Sequence, residues 1–143
     1  MDRPRVAVRE TPDGRRIEVA RAVDAPADRV WNLFTDTARW PEWGTSVGAV
    51  ESDDRRIREG TTGRVRVLGT WVPFRIETCR DRRWTWRVAG VPATGHRVES
   101  LDGRSLAAFE VPLLAAPYVV VCERALRAIA RLAERDDSTP PPS

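Results

Sequence analysis

Apolar and polar residues alternate along most of residues 45–112, which is the pattern of half-buried β-strands. Short turn signals such as Gly69-Thr70 and Asp102-Gly103 interrupt the alternation, and Asp-Gly between two alternating segments is typical of a hairpin. Such short connections favour an antiparallel meander. The pattern predicts strands at 46–53, 62–69, 71–79, 83–89, 94–101 and 104–111.

The alternation also predicts which side chains share a face of the sheet. One face is apolar and aromatic, and the opposite face carries arginine and glutamate. A sheet that is apolar on one side needs another element to cover that side. The predicted apolar face contains Val65, Val67, Val72, Phe74, Ile76, Thr78, Trp84, Trp86, Val88, Ala107, Phe109 and Val111.

The C-terminal segment provides the cover. Pro117 is suited to a helix start, and the chain then runs to about Arg135 without a helix-breaking residue. Apolar residues recur there at spacings of three and four, which predicts an amphipathic helix. Its predicted buried stripe is Tyr118, Val121, Cys122, Ala125, Ile129 and Leu132.

Residues 16–43 combine a strand with two short helices. Ile17, Val19 and Val23 share a strand face, and Pro26 is suited to the first turn of a helix. Asp36 is expected to cap a second helical turn, whose length Pro41 limits. The sequence therefore predicts strand, helix and short helix in that order.

The same stretch contains the motif V-D-A-P-x-x-x-V-W-x-L-x-x-D-x-x-x-W-P-x-W. It resembles the opening of the START-like, or SRPBCC, superfamily and is most similar to its polyketide cyclase/dehydrase-like branch. The resemblance extends over residues 16–135. The matching residues are Val23, Ala25, Pro26, Val30, Trp31, Leu33, Asp36, Trp40, Pro41 and Trp43.

The resemblance implies an α+β helix-grip fold, in which a curved antiparallel sheet of about seven strands wraps around a long C-terminal helix. Two short helices follow the first strand. A chain of 143 residues is expected to form one such domain over 16–135. Residues 1–15 are expected to form a hairpin or a loosely held arm, and 136–143 a disordered tail.

Composition excludes several classes of function. No apolar run is long enough to cross a membrane, and the N-terminus lacks the apolar core of a secretory signal. The 24 basic residues are all arginine, but the net charge is only +3 and the arginines are scattered among acids, so no nucleic-acid partner is expected. Cys79 and Cys122 fit no metal or redox spacing. We expect a cytoplasmic protein with free thiols, no metal and no cofactor, as a monomer or homodimer.

The functional site that the resemblance implies is a cavity between the sheet and the C-terminal helix. Its bulky apolar wall favours a small hydrophobic ligand that is aromatic, polyketide-like or lipid-like. The same side chains could instead fill the core, with Trp84 and Trp86 closing the cavity. The candidate ligand-binding residues are Trp43, Val67, Phe74, Ile76, Trp84, Trp86, His96, Val98, Phe109 and Tyr118.

Few polar groups are expected inside, namely His96, Thr78, Ser100 and Tyr118. His96 could act as a general acid or base with Tyr118 as a hydrogen-bond donor, as a cyclase or dehydratase would require. Alternatively, His96 could hold a purely structural hydrogen bond. Arg21 shares the face of Val19 and is expected either at a bulge or in the cavity as the partner of an anion. Besides ligand binding and a cyclase or dehydratase activity, a further hypothesis is a protein-interaction module of the chaperone-regulator type.

Overall fold

The computed structural model describes residues 4–44 and 46–138 as one antiparallel sheet and the helices packed on it. The strand order in the sheet is β1-β2-β8-β7-β6-β5-β4-β3. The strands are β1 (Arg5–Thr11), β2 (Gly14–Val23), β3 (Val47–Ser52), β4 (Thr62–Val67), β5 (Thr70–Arg80), β6 (Arg83–Val88), β7 (Val91–Leu101) and β8 (Arg104–Pro112). The helices are α1 (Ala27–Thr35), α2 (Trp40–Trp43) and α3 (Val119–Ser138), with short 3₁₀ segments at Thr37–Arg39 and Leu113–Tyr118.

The predicted α+β helix-grip architecture is confirmed, with eight strands where about seven were expected. The additional strand is β1, which pairs along its whole length with β2, so residues 5–23 form a hairpin. At the other end, Pro117 lies in the 3₁₀ segment and α3 begins two residues later at Val119. Helix α3 continues to Ser138, and residues 139–143 of the predicted tail lie outside the described residues.

Helix α3 covers the concave face of the sheet and buries a wider face than the predicted stripe. It packs on β2, β8, α1 and α2, so Leu126, Ala130 and Ala133 are buried as well. Of the predicted stripe, Cys122, Ala125 and Ile129 are buried, and Val121 and Leu132 are half-buried. Tyr118 lies in the 3₁₀ segment before α3 and is 39% exposed. Within the described ranges, no helix is long and apolar enough to cross a membrane.

The corner between α1 and α2 is held by the tryptophans of the N-terminal motif. The last carbonyl groups of a helix have no partner within that helix. Here the indole Nε1 of Trp40 donates to the carbonyl oxygen of Phe34 at 2.9 Å, and that of Trp43 donates to Leu33 at 2.7 Å. The W-P-x-W motif therefore satisfies the C-terminal end of α1 while it buries two large rings.

Asp36 caps the 3₁₀ segment after α1, as predicted, because its Oδ1 accepts from the backbone N–H of Ala38 at 3.0 Å. The guanidinium of Arg55 also donates to both of its carboxylate oxygens, at 3.0 and 3.1 Å. This hydrogen bonding by Arg55 holds the pKa of Asp36 below its usual value. The cap thereby also ties the loop before β4 to the helical corner.

A bulge in β5 overturns one face prediction. The register between β5 and β6 shifts between Ile76 and Thr78. After this shift each side chain points to the face opposite the one that simple alternation predicts. Thr78 accordingly exchanges a 2.8 Å hydrogen bond with Thr85, while Cys79 packs on the core. Ser100 also leaves the predicted inner wall, because it is exposed near the end of β7.

Gly63 allows β4 to lie close to the backbone of β3 and to the ring of Phe74 in β5. A Cβ atom at this position would overlap the carbonyl oxygen of Glu51 and lie 2.8 Å from Cζ of Phe74. Gly48 in β3 is a useful contrast, because the nearest atom to a Cβ there is 3.8 Å away.

We therefore expect Gly63→Ala to lower the free energy of unfolding by about 1–3 kcal/mol, the usual cost of overpacking a core. Gly48→Ala should leave it unchanged or slightly higher. Urea denaturation of the two variants and the parent protein measures both values. Equal stabilities of the two alanine variants would contradict the packing described for Gly63.

Candidate functional site

Stacked rings fill one part of the interior. The indole of Trp84 lies between the ring of Trp40, at a centroid distance of 5.4 Å and an angle of 4°, and the imidazole of His96, at 3.7 Å and 11°. Trp84 is completely buried. Its Nε1–H has no hydrogen-bond partner among the described residues. The ring of Trp84 therefore fills the space between the sheet and α2, and we call it the tryptophan plug.

Another part of the interior opens into a cleft of about 690 Å³. It lies at one end of the sheet, where β4, β6 and β8 end, β3 and β7 begin, and the chain passes into the 3₁₀ segment 113–118. The lining residues are Arg16, Ser46, Val47, Val65, Val67, Trp86, Val88, Val91, Pro92, Ala93, Thr94, Pro112, Leu114, Ala115 and Tyr118.

A smaller inner chamber of about 40 Å³ adjoins this cleft. Both cavities are lined by Ser46, Val47, Trp86, Thr94 and Tyr118, so these residues stand between the chamber and the cleft. The chamber also touches Trp84 and His96 on one side and α3 on the other. The filled and open parts of the interior therefore meet at the chamber.

Most of the predicted wall residues lie around the chamber and the cleft. Trp43, Trp84, Trp86, His96, Phe109 and Tyr118 line the chamber, and Val67 lines the cleft. Phe74, Ile76 and Val98 line neither of these cavities and are buried in the core. The sequence analysis missed residues from turns and from the 3₁₀ segment, where neither strand nor helix spacing applies. The apolar run Leu113–Ala116 was the available signal for that part of the wall.

A bulge in β7 builds a chain of hydrogen bonds behind the cleft. The register between β6 and β7 shifts opposite Trp86, which brings its Nε1 within 3.2 Å of Thr94 Oγ1. Thr94 Oγ1 lies 3.1 Å from His96 Nε2, and His96 Nδ1 lies 3.4 Å from the carbonyl oxygen of Trp84. Because a carbonyl only accepts, Nδ1 carries the proton and Nε2 accepts from the Thr94 hydroxyl.

This environment keeps His96 uncharged. The residue is 2% exposed, and its burial lowers the pKa to about 3. Its Nε2 lone pair is occupied by Thr94, which stands between the imidazole and the cleft. These contacts favour the structural alternative for His96, and its acid–base role stays a prediction.

Tyr118 stands at the opening between the two cavities. Its hydroxyl lies 3.0 Å from Oγ of Ser46, in a hydrogen bond that joins the start of β3 to the start of α3. Partial burial raises the pKa of Tyr118, so its hydroxyl keeps its proton at neutral pH. Tyr118 can therefore donate to Ser46 or to a molecule in the cleft.

Arg21 occupies neither of its two predicted positions. The ladder between β2 and β8 has no register shift, so there is no bulge at Arg21. The side chain is half-buried and lines neither the chamber nor the cleft. Its Nε is buried without a hydrogen-bond partner among the described residues.

The two cysteines are free thiols. Cys122 lines the chamber, where burial raises its pKa to about 12. Burial also raises the pKa of Cys79, whose Sγ lies 3.8 Å from the carbonyl oxygen of Ile57. Neither thiol is set up as a thiolate nucleophile at neutral pH.

The pKa of His96 can be tested directly, because this is the only histidine in the chain. We expect its ring NMR signals not to titrate between about pH 7.5 and about pH 5. The unfolded state binds a proton near its ordinary pKa of about 6.5, so the free energy of unfolding should fall by roughly 2 kcal/mol over this range.

His96→Asn should remove that part of the pH dependence, because asparagine does not titrate. Guanidinium denaturation of both proteins at several pH values provides the comparison. A ring titration with a midpoint near the ordinary histidine pKa would contradict the buried, uncharged state.

Several solved structures share this fold. The crystal structure of CalU16 from Micromonospora echinospora is 24% identical, with a TM-score of 0.63 over 92% of this chain and 83% of that chain. The Zhui aromatase/cyclase from Streptomyces sp. R1128 is 18% identical, with a TM-score of 0.62 over 82% and 92% of the two chains. The Aha1 protein of Colwellia psychrerythraea, solved as a dimer, is 11% identical, with a TM-score of 0.63 over 82% and 94%. At these identities the likeness concerns the fold alone.

The comparison with curated proteins found no match. Residues 14–134, by contrast, match the family described as polyketide cyclase/dehydrase and lipid transport. The matched range extends from the start of β2 to near the end of α3. This match confirms the resemblance noted in the N-terminal motif. The chain therefore belongs to the polyketide cyclase/dehydrase and lipid transport family of the SRPBCC superfamily.

Proposed function

We propose that this protein binds a small, mainly apolar molecule in the cleft between the sheet and the 3₁₀ segment 113–118. The observation that supports this is the open cleft of about 690 Å³, whose lining is predominantly apolar. Pockets for small molecules commonly have volumes of about 300–1,000 Å³ and a few polar groups in an apolar wall. The polar side chains of this lining are Arg16, Ser46, Thr94 and Tyr118.

The shape of the wall favours a flat or extended ligand. Trp86 contributes a broad apolar surface, since its indole N–H already donates to Thr94. Val47 and Val67 of the lining come from β3 and β4, while Leu114 and Ala115 come from the 3₁₀ segment. The inner chamber of about 40 Å³ adds room only for a small substituent of the ligand. The body of the ligand therefore lies in the cleft and contacts the filled core at the inner end of the cleft.

The enzyme alternative is a cyclase or dehydratase acting on a polyketide-type substrate. It receives less support from the site, because burial lowers the pKa of His96 to about 3, which makes its imidazole a weak base, and because its Nε2 is bonded to Thr94. Tyr118 could still orient a carbonyl group of a bound ligand. The protein-interaction alternative is less supported too, because it fits a collapsed interior better than an open cleft.

We expect the neutral fluorescent probe N-phenyl-1-naphthylamine to bind in the cleft and to brighten there. Ala115→Phe places a ring in the cleft and should weaken this binding by about tenfold, equivalent to roughly 1.4 kcal/mol. Ala116→Phe makes the same change at the next residue, which is exposed and outside the lining, so it should bind as the parent does.

Fluorescence titration gives the three dissociation constants, and circular dichroism confirms that each variant is folded. At a probe concentration a hundred times its Kd, binding should also add about 2.7 kcal/mol of stability. Absence of binding to the parent protein, or equal loss in the two phenylalanine variants, would count against the cleft as the binding site.

A further inference from the structure

The sheet separates between β7 and β8 at the end where the cleft lies. Strand β7 begins at Val91, yet its ladder with β8 begins only with the pair Gly95 and Glu110. The first part of β7, Val91–Thr94, thus has no ladder partner in β8. Pro92 is compatible with this position, since proline has no N–H to donate to a neighbouring strand. The β7–β8 hydrogen-bond ladder is therefore interrupted beside Pro92 and Ala93, which leaves a gap between the two strands there.

A second, polar cavity of about 170 Å³ lies at this gap. It shares Arg16, Trp86, Pro92 and Ala93 with the apolar cleft, so the two cavities meet there. Its other lining residues, by contrast with the cleft, are largely polar or charged. They are Asp13, Glu77, Thr85, Arg87, Gly95 and Glu110.

Arg16 is the charged side chain at the junction of the cavities. It is the only charged residue in the described lining of the cleft. Its Nη1 donates to the backbone carbonyl of Arg15 at 3.2 Å, and no carboxylate of the described residues pairs with it. Two other arginines of this hairpin are paired, Arg15 with Glu10 at 3.3 Å and Arg9 with Glu18 at 3.4 Å. Arg16 therefore keeps donors for an external partner.

The acids of the polar cavity are engaged by arginines other than Arg16, although Asp13 and Glu110 share one of them. Asp13 and Glu110 accept from Nη2 of Arg83 at 2.9 and 2.7 Å. Glu77 accepts from Nε of Arg87 at 3.0 Å. Arg16 is the guanidinium at the junction for which the described residues supply no carboxylate partner.

We propose that the cleft selects an amphipathic organic anion, with its negative group on Arg16 and its apolar body along Trp86 towards Tyr118. A guanidinium presents parallel N–H donors that match the oxygens of a carboxylate or another oxyanion. The proposal rests on the proposed function, because it assigns the polar end of a ligand whose body occupies the same cleft.

A matched pair of probes tests it. The anion 8-anilinonaphthalene-1-sulfonate and the neutral N-phenyl-1-naphthylamine share one ring system and differ by the sulfonate group. Arg16→Gln should weaken binding of the sulfonate by about tenfold and leave the neutral probe unchanged, since one charge-assisted contact is lost. Arg15→Gln removes the same charge from an exposed neighbour outside the cleft and should change neither Kd.

The outcomes separate this inference from the proposed function. If neither probe binds the parent protein, both fail. If the neutral probe binds and Ala115→Phe displaces it, but Arg16→Gln and Arg15→Gln affect the sulfonate equally, only the role of Arg16 is overturned. An equal loss of both probes in Arg16→Gln would also overturn it, because that result means damage to the cleft.

Competition then distinguishes two sources of the anion. Decanoate and 2-naphthoate are titrated against the bound neutral probe, each beside the alcohol of the same carbon skeleton, decan-1-ol or 2-naphthalenemethanol. We expect at least one acid to compete about tenfold better than its alcohol, and this advantage to vanish in Arg16→Gln. Decanoate would indicate an aliphatic ligand and 2-naphthoate an aromatic one. No advantage for either acid would overturn the proposal.

Discussion

The contact on which this structure depends is the stack of Trp40, Trp84 and His96. A long helix and a curved sheet leave space between them, and here stacked rings occupy part of it. The stack also fixes the position of α2, because Trp40 is held at once by the Phe34 carbonyl and by the indole of Trp84. Burial of large aromatic surfaces is among the strongest contributions to a protein core. The cavity lies where the stack ends.

Two departures from regular strand geometry shape that cavity. The shift opposite Trp86 brings Thr94 between the imidazole of His96 and the cleft. The separation of β7 from β8 exposes the junction to Arg16. Both features lie in the first part of β7, so a few residues decide how the interior communicates with solvent. Bulges near binding sites commonly have this effect, because they redirect side chains without breaking the sheet.

The sequence predicted the architecture well, because strand alternation and the W-P-x-W motif are local signals. It also identified most of the aromatic residues that line the chamber, including Trp86 and Phe109. The bulges could not be predicted, because assigning side chains to alternating faces assumes that every strand stays in register. Thr78 was placed on the wrong face for that reason. Whether Phe74 fills the core or lines a cavity depends on the distance between elements, which alternation does not encode. Arg16 escaped notice because the opening between β7 and β8 is a property of pairing and not of composition.

The division of the interior bears on how such a domain can diversify. The tryptophan plug and the capped helical corner lie in one part, and the cleft is formed by strand ends, a turn and a 3₁₀ segment in another. Substitutions in the exposed part of the cleft wall, such as at Val91 or Leu114, remove little buried surface, so they cost little stability. Under the proposed function, changes at these positions can alter the ligand while the buried tryptophans preserve the fold.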